Sequence, residues 1–267
     1  MYKSIEKSYK KKYPFKICTT SYIYPDNILS NVRMLAPYMD EIELILFESS
    51  PDSLPDHRDI KALRSLADDC DVTFNIHLPL DILLGSQNKI ERIKAVETIK
   101  MVMDLTSILH PSTHTLHFEC DTKTCQDEKG LKIWQNLIRE SMEMLIATGI
   151  KSESLSIETL IYPFDWIEKI IIDYNLPICF DMGHIILQKK DVEEIFNKHS
   201  QRIPILHVHG VENNKDHTSL NRLPEKEAAK VINILKRFSG IVSLEVFSYE
   251  HLIDSLQFVE SYFVPVP

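Results

Sequence analysis

At 267 residues, with 44% apolar and 26% charged side chains, the chain is long for one ordinary domain and carries enough apolar material for a large buried core. Its formal net charge of −9 argues against a non-specific nucleic-acid binder, whose affinity comes from neutralising phosphates, and no stretch approaches the roughly 18 apolar residues that a membrane span needs. Cys18, Cys70, Cys120, Cys125 and Cys179 form no C-x-x-C pair, so reduced thiols and a cytosolic setting are expected.

Residues 1–14 read as a basic extension without an apolar stretch of signal-peptide type, frayed and without a function of its own. From Phe15 onward, strand and helix signals alternate. Strand-like runs cover Phe15 to Ser21, Glu41 to Phe47, Val72 to His77 and Thr113 to Phe118. Further runs cover Leu155 to Glu158, Ile178 to Asp181, Ile205 to His209 and Ile241 to Phe247. Helical patterns follow each of them: Asn27 to Met39, Arg58 to Asp69, Lys89 to Leu109 and Gly130 to Ala147 in the first half. Pro163 to Tyr174, Asp191 to Lys198, Pro224 to Phe238 and Tyr249 to Tyr262 complete the set. Eight alternations with short connections predict a parallel sheet, and the count predicts its closure into a (β/α)8 TIM barrel. The absence of a G-x-G-x-x-G after any strand weighs against an open doubly wound sheet. No composition break divides residues 15–267, which are expected to form a single domain.

Alternate residues of a barrel strand face the interior. One parity collects Glu41 and Glu43, then Thr73, Asn75 and His77, then Thr113, Thr115 and His117. The same parity holds Ser156 and Glu158, Cys179 and Asp181, His207 and His209, and Ser243 and Glu245. The other parity is nearly all Val, Ile, Leu and Phe. An Asp ending a strand three residues before a His, as in Asp181-Met-Gly-His184, also suits an N-capped helix. Its recurrence beside Glu158, His207, His209 and Glu245 instead points to a metal site, since polar groups converging on one rim would each need a private partner. Carboxylates and imidazoles without thiolates suit Mn²⁺, Zn²⁺, Fe²⁺ or Co²⁺. Glu158, Asp181, Glu245 and one of His207 and His209 are the expected ligands. This many ligands could accommodate two or three metals, as phosphoryl-transfer sites often use.

The order Glu158, Asp181-x-x-His184, His207-Val-His209 and Glu245 resembles the xylose-isomerase-like barrel superfamily, which includes sugar isomerases, epimerases and endonuclease IV. Its endonuclease-IV-like members add His ligands, matched by His77, His117, His184 and His217. They carry an Asp two residues before the last His, where this chain has Lys215. Thr19-Thr-Ser-Tyr-Ile, Asn31-Val-Arg-Met-Leu-Ala-Pro-Tyr, Glu43-Leu-Ile-Leu-Phe-Glu and His77-Leu-Pro-Leu-Asp are similar to the cobamide-remodeling phosphodiesterases of that superfamily. The resemblance implies metal-dependent hydrolysis of a phosphodiester in the nucleotide loop of a cobamide, a small-molecule substrate, without nucleic acid or membrane.

On that reading Glu158, Glu245, His184 and His217 are catalytic. Glu43, His217 and the apolar run containing Leu83 and Leu84 contact the substrate, the leucines under the flat corrin ring. The competing expectations are a sugar isomerase or epimerase with Glu158 and Glu245 as proton-transfer bases, an abasic-site endonuclease, and a corrinoid carrier without activity.

Overall fold

The computed structural model describes residues 2–120 and 125–263. Its first four strands are β1 (Lys16–Thr20), β2 (Glu41–Ile45), β3 (Thr73–His77) and β4 (His114–Leu116). They are followed by α1 (Ile28–Leu35), α2 (His57–Cys70), α3 (Lys89–Thr106) and α4 (Glu128–Ala147) respectively. Then come β5 (Leu155–Glu158), α5 (Asp165–Asp173), β6 (Ile178–Asp181), α6 (Met182–Leu187) and α7 (Val192–His199). The chain continues through β7 (Ile205–Val208), a hairpin β8 (Gly210–Glu212) and β9 (Lys215–Thr218), α8 (Glu225–Leu235), β10 (Ile241–Leu244) and α9 (Tyr249–Phe263). Eight strands close in the order β1-β10-β7-β6-β5-β4-β3-β2, every pairing parallel, which is a (β/α)8 barrel. Among the described residues no helix is long and apolar enough to cross a membrane.

Local chemistry sets the element ends. The Asp56 carboxylate accepts from the Arg58 and Asp59 N–H groups while the Asp59 side chain returns to the Asp56 N–H, a capping box that starts α2. Asp71, in the left-handed region at φ 51°, stops it. Between β8 and β9, Asn213 and Asn214 take φ of 53° and 61°, the two-residue turn that asparagines tolerate. The adjacent asparagines thereby turn the segment after β7 into a hairpin.

The two strand parities separate as expected. Phe74, Ile76, Ile157, Phe180, Leu206 and Val242 are buried against the helices. The inward residues form polar layers. Deepest lies Glu41, fully buried and bonded to Thr73, Asn75, Ser112 and Lys16. Above it Glu43 accepts from the Ser243 hydroxyl at 2.6 Å, and Thr113 meets Ser156 at 2.6 Å.

Residues 2–14 are not frayed. Ile5 and Tyr9 are each only 3% exposed and belong to the main core. The Tyr24 and Tyr249 hydroxyls donate to the carbonyls of Lys3 and Ser4. Lys3 and Lys7 pair with Glu250 and Glu260 of α9, and Tyr9 N–H donates to the Tyr38 carbonyl. The segment is a strap between the first and last βα units. Two apolar residues four apart in an irregular, lysine-rich stretch leave no periodic signal, which is why the sequence reads as an extension.

Cys120 and Cys125 are joined in a disulfide, against the expectation of reduced thiols, while Cys18, Cys70 and Cys179 are free.

His114 has the parity that faces the helices and is 6% exposed, its Nδ1 3.2 Å from the Ser154 carbonyl. Burial pulls its pKa down to about 4, only partly offset by that carbonyl. Between pH 6.5 and 4 the unfolded chain therefore takes up a proton that the folded chain refuses, and stability falls as the pH falls, by about 3 kcal/mol at the lower end. His114→Gln should lose less stability than the wild type between pH 7 and pH 4.5 in urea titrations. Parallel losses would show that His114 is protonated in the fold.

Candidate metal centre

The barrel brings the predicted imidazoles and carboxylates to the carboxyl ends of its strands. His77 ends β3, Glu158 ends β5, Asp181 ends β6 and His207 lies in β7. His117, His209 and Glu245 each follow directly after a strand end, and His184 lies on α6. His77, Glu158, Asp181, His184, His207, His209 and Glu245 are all buried. Among the described residues, four groups have possible ligand atoms within 4.8 Å of one another. They are His77–His117–Glu158, Glu158–Asp181–His207–Glu245, Glu158–Cys179–His207 and His184–His209–His217.

Glu158 is the hub. Its Oε2 lies 3.0 Å from His77 Nε2 and 2.6 Å from His117 Nε2, and its Oε1 lies 3.4 Å from His207 Nδ1. The His77 Nδ1–H donates to the Leu78 carbonyl at 3.0 Å. That leaves Nε2, the nitrogen facing Glu158, as the one able to ligate a cation. His117 is caught between two carboxylates, with Nδ1 2.9 Å from Glu119 Oε1. Burial pushes its pKa down, but Glu158 and Glu119 together raise it to about 10. Burial also works against the Glu158 charge, yet His117 and His207 hold that carboxyl well below the usual carboxylate range. Because ligating imidazoles must be neutral, binding of a divalent ion here would be coupled to proton release.

Asp181 serves a second group. Its Oδ1 accepts from the His184 N–H at 2.7 Å, and its Oδ2 lies 3.2 Å from His209 Nε2. The carboxylate both caps α6 and faces the site, so the two readings of Asp181-Met-Gly-His184 hold together. The capping turn swings His184 inward, where its Nδ1–H donates to the Thr159 carbonyl at 3.0 Å. The His217 N–H points at His209 Nδ1 at 3.0 Å, with His217 itself in the left-handed region at φ 50°. Burial opposes a charge on His209, but Asp181 raises its pKa to about 9.

Gly183 is a feature that the sequence reading missed. A Cβ there would stand 2.0 Å from His209 Cε1, so the His209 ring rests directly on the glycine backbone. Its presence inside the Asp181–His184 motif, in a chain with only six glycines, was the available signal.

Both histidines of His207-Val-His209 enter the site, in different groups. The Nδ1 of His207 faces Glu245 Oε2 at 3.1 Å. Its Nε2 lies 2.9 Å from Glu43 Oε1, too poorly aligned for a hydrogen bond but close enough to orient the ring electrostatically. Glu43, expected to contact substrate, is instead fully buried beneath His207.

Leu84 is likewise corrected. It is fully buried in the core, because the turn after Pro79 folds it inward and its carbonyl takes the Ser141 hydroxyl at 2.7 Å. Leu83 is 42% exposed and lines a cleft with Leu80, Glu119 and Trp134. Arg92 is buried and paired with Glu140 at 2.7 Å. Lys215 stands where an Asp was expected, but the next residue, Asp216, brings Oδ2 to 3.8 Å from His184 Nε2 and 3.9 Å from His217 Nε2.

The cluster fits a divalent cation. His207 Nδ1 and Nε2 and Glu245 Oε2 are buried without a hydrogen-bond partner, an expensive state unless a cation satisfies the inward-facing atoms. The donor set is mainly nitrogen and carboxylate oxygen, and burial keeps the one nearby thiol, Cys179, protonated.

No curated protein matches the chain. Residues 39–262 match the family model of the xylose isomerase-like TIM barrel. The chain belongs to that family. Among solved structures, this xylose isomerase-like barrel is similar to a D-tagatose 3-epimerase-like protein, at 20% identity and a TM-score of 0.73, over 93% of this chain and 97% of that one. It is also similar to endonuclease IV from Thermus thermophilus, at 14% identity and a TM-score of 0.69, over 92% and 98%. A 3-keto-D-glucoside 4-epimerase from E. coli matches at 11% identity and a TM-score of 0.69, over 93% and 98%. At these identities the likeness is one of fold.

Proposed function

We propose that this barrel is a divalent-metal-dependent hydrolase that cleaves a phosphodiester in the nucleotide loop of a cobamide. The observation that carries the reaction class is the sharing of Glu158 between two adjacent ligand groups, His77–His117 on one side and Asp181–His207–Glu245 on the other. One carboxylate serving two groups suits cations held side by side, the arrangement that phosphoryl transfer uses to stabilise attacking and leaving oxygens. When bound, such cations supply Lewis acidity and bring the pKa of water toward neutrality. The substrate rests on the likeness of the segments beginning at Thr19, Asn31, Glu43 and His77 to cobamide-remodeling phosphodiesterases.

The chain's own groups have separable tasks. Glu158, Asp181, His207 and Glu245 hold the charge that receives the cations, with Glu43 and Ser243 orienting His207 from below. His184, held by Thr159, presents Nε2 on the Asp216 side, and half-buried His217 stands at the opening. These two imidazoles are placed to donate to phosphoryl oxygens and to return a proton to the leaving oxygen.

A metal analysis of the purified protein, followed by incubation with cobalamin and identification of the products, tests the reading. Release of a cobinamide-type product that depends on added metal supports it. Turnover of a ketose, with cobalamin left intact, would replace it with epimerase chemistry run by Glu158 and Glu245. Asp181→Asn should keep the far-ultraviolet spectrum of the wild type while lowering metal content and cutting turnover by roughly a thousandfold. Full metal content and turnover in that variant would remove Asp181 from the site.

A further inference from the structure

Beside the metal centre, three aromatic residues from different strand ends form a continuous shelf at the barrel mouth. Tyr22 follows β1, Phe47 follows β2 and Phe247 follows β10. The Tyr22 and Phe47 ring centroids are 4.7 Å apart, and those of Phe47 and Phe247 are 6.0 Å apart. Phe247 in turn lies 5.1 Å from the His217 ring. Phe47 is 38% exposed and Phe247 37% exposed. Isolated exposed aromatics need no explanation, but a contiguous row leading from solvent to a polar centre is apolar surface kept uncovered.

The shelf is floored and fixed. It opens on a cleft of about 650 Å³ that also takes in Tyr24 and Tyr249. Buried Asn31 clamps the loop after β1, accepting from the Tyr24 N–H at 2.8 Å and donating to the carbonyls of Tyr24 and Asp26. Lys3, the cation lining this cleft, is paired with Glu250 at 3.1 Å, so the shelf offers ring faces rather than free positive charge. Such a surface suits the face of a broad ring system and would not hold a phosphate.

We propose that Tyr22, Phe47 and Phe247 form a ring-binding subsite that takes the planar face of the group joined to the phosphodiester, directing its phosphate past His217 to the metal centre. The proposal rests on the hydrolase reading and relocates the macrocycle from the Leu83 loop after β3 to the neighbouring stretch of rim after β2, β1 and β10.

Cobinamide, which presents the corrin ring without the nucleotide loop, is the probe. Its dissociation constant should be measured by equilibrium dialysis against the metal-loaded full chain, a Phe47→Ala/Phe247→Ala variant and a Phe47→Tyr/Phe247→Tyr variant. The alanine pair should weaken binding roughly ten- to a hundredfold, the tyrosine pair should restore most of it, and melting temperatures should show both variants folded. Equal affinity in the wild type and the alanine pair, or no binding to the wild type, would overturn the subsite. Cobalamin hydrolysis by the wild type is scored separately. Hydrolysis with cobinamide affinity indifferent to the shelf removes the subsite and leaves the hydrolase reading standing. Shelf-dependent binding without hydrolysis keeps the subsite and removes the reaction.

Discussion

In a Glu158→Gln variant, metal binding should fail at two adjacent ligand groups at once, and turnover should drop by roughly ten-thousandfold or more. Glu158 is the residue common to the His77–His117 and the Asp181–His207–Glu245 groups, so no other single change touches both. The metal-free variant gives a second readout. The carboxylate that raises the His117 pKa to about 10 is gone, leaving Glu119 alone beside it, so the His117 titration followed by NMR should move down toward the ordinary imidazole range. The sign for stability follows. A histidine whose folded pKa is raised contributes fully below pH 6.5 and loses that contribution as the pH climbs toward 10. The variant should therefore differ most from the metal-free wild type in mildly acidic to neutral solution and converge with it in alkali. Unchanged metal content, or an unmoved His117, would show that the groups act independently of Glu158.

Deleting residues 1–12 should lower the melting temperature markedly, contrary to what a basic extension would do. Ile5→Ala alone removes a core side chain that is 3% exposed, at a cost of about 3 kcal/mol, or roughly 6–12 °C in a chain of this size. The deletion also removes Tyr9, the ion pairs to Glu250 and Glu260, and the partners of the Tyr24 and Tyr249 hydroxyls, so its effect should be at least as large. Differential scanning calorimetry of the two variants checks this. A deletion that melts with the full chain would mean that the strap contributes no net stability.

The same residues show where sequence reading succeeds and where it stops. Period-two alternation together with residue type was enough to put His77, Glu158, Asp181, His207 and Glu245 on one face, because a barrel interior tolerates such groups only where they have work or partners. Alternation gives a face but not a height. Glu43 shares its parity with Thr20 and Asn75 by register, and that register sets it beneath His207 rather than at the mouth. Leu84 failed for a different reason, since an apolar residue in a connection looks the same whether it covers a ligand or the chain's own helices. The shelf aromatics were invisible because Tyr22, Phe47 and Phe247 are 25 and 200 positions apart and meet only once the ring of strands closes. Gly183 and the Asn213–Asn214 turn were legible in principle, as backbone signals beside residues already singled out.

Ring closure has a consequence for how this molecule forms. β1 completes the barrel by pairing with β10, and Thr19 donates to the Leu244 carbonyl across 225 positions of sequence. Every other strand pair joins neighbouring βα units and can form early from local collapse. The β1–β10 seam carries the largest loop-closure entropy in the sheet, and the N-terminal strap ties off that same seam. The cleft at Tyr24 and Tyr249 and the row from Tyr22 to His217 both lie across it. The aromatic row is therefore built across the strand pairing whose partners lie farthest apart in sequence, so whatever opens that seam also breaks up the row.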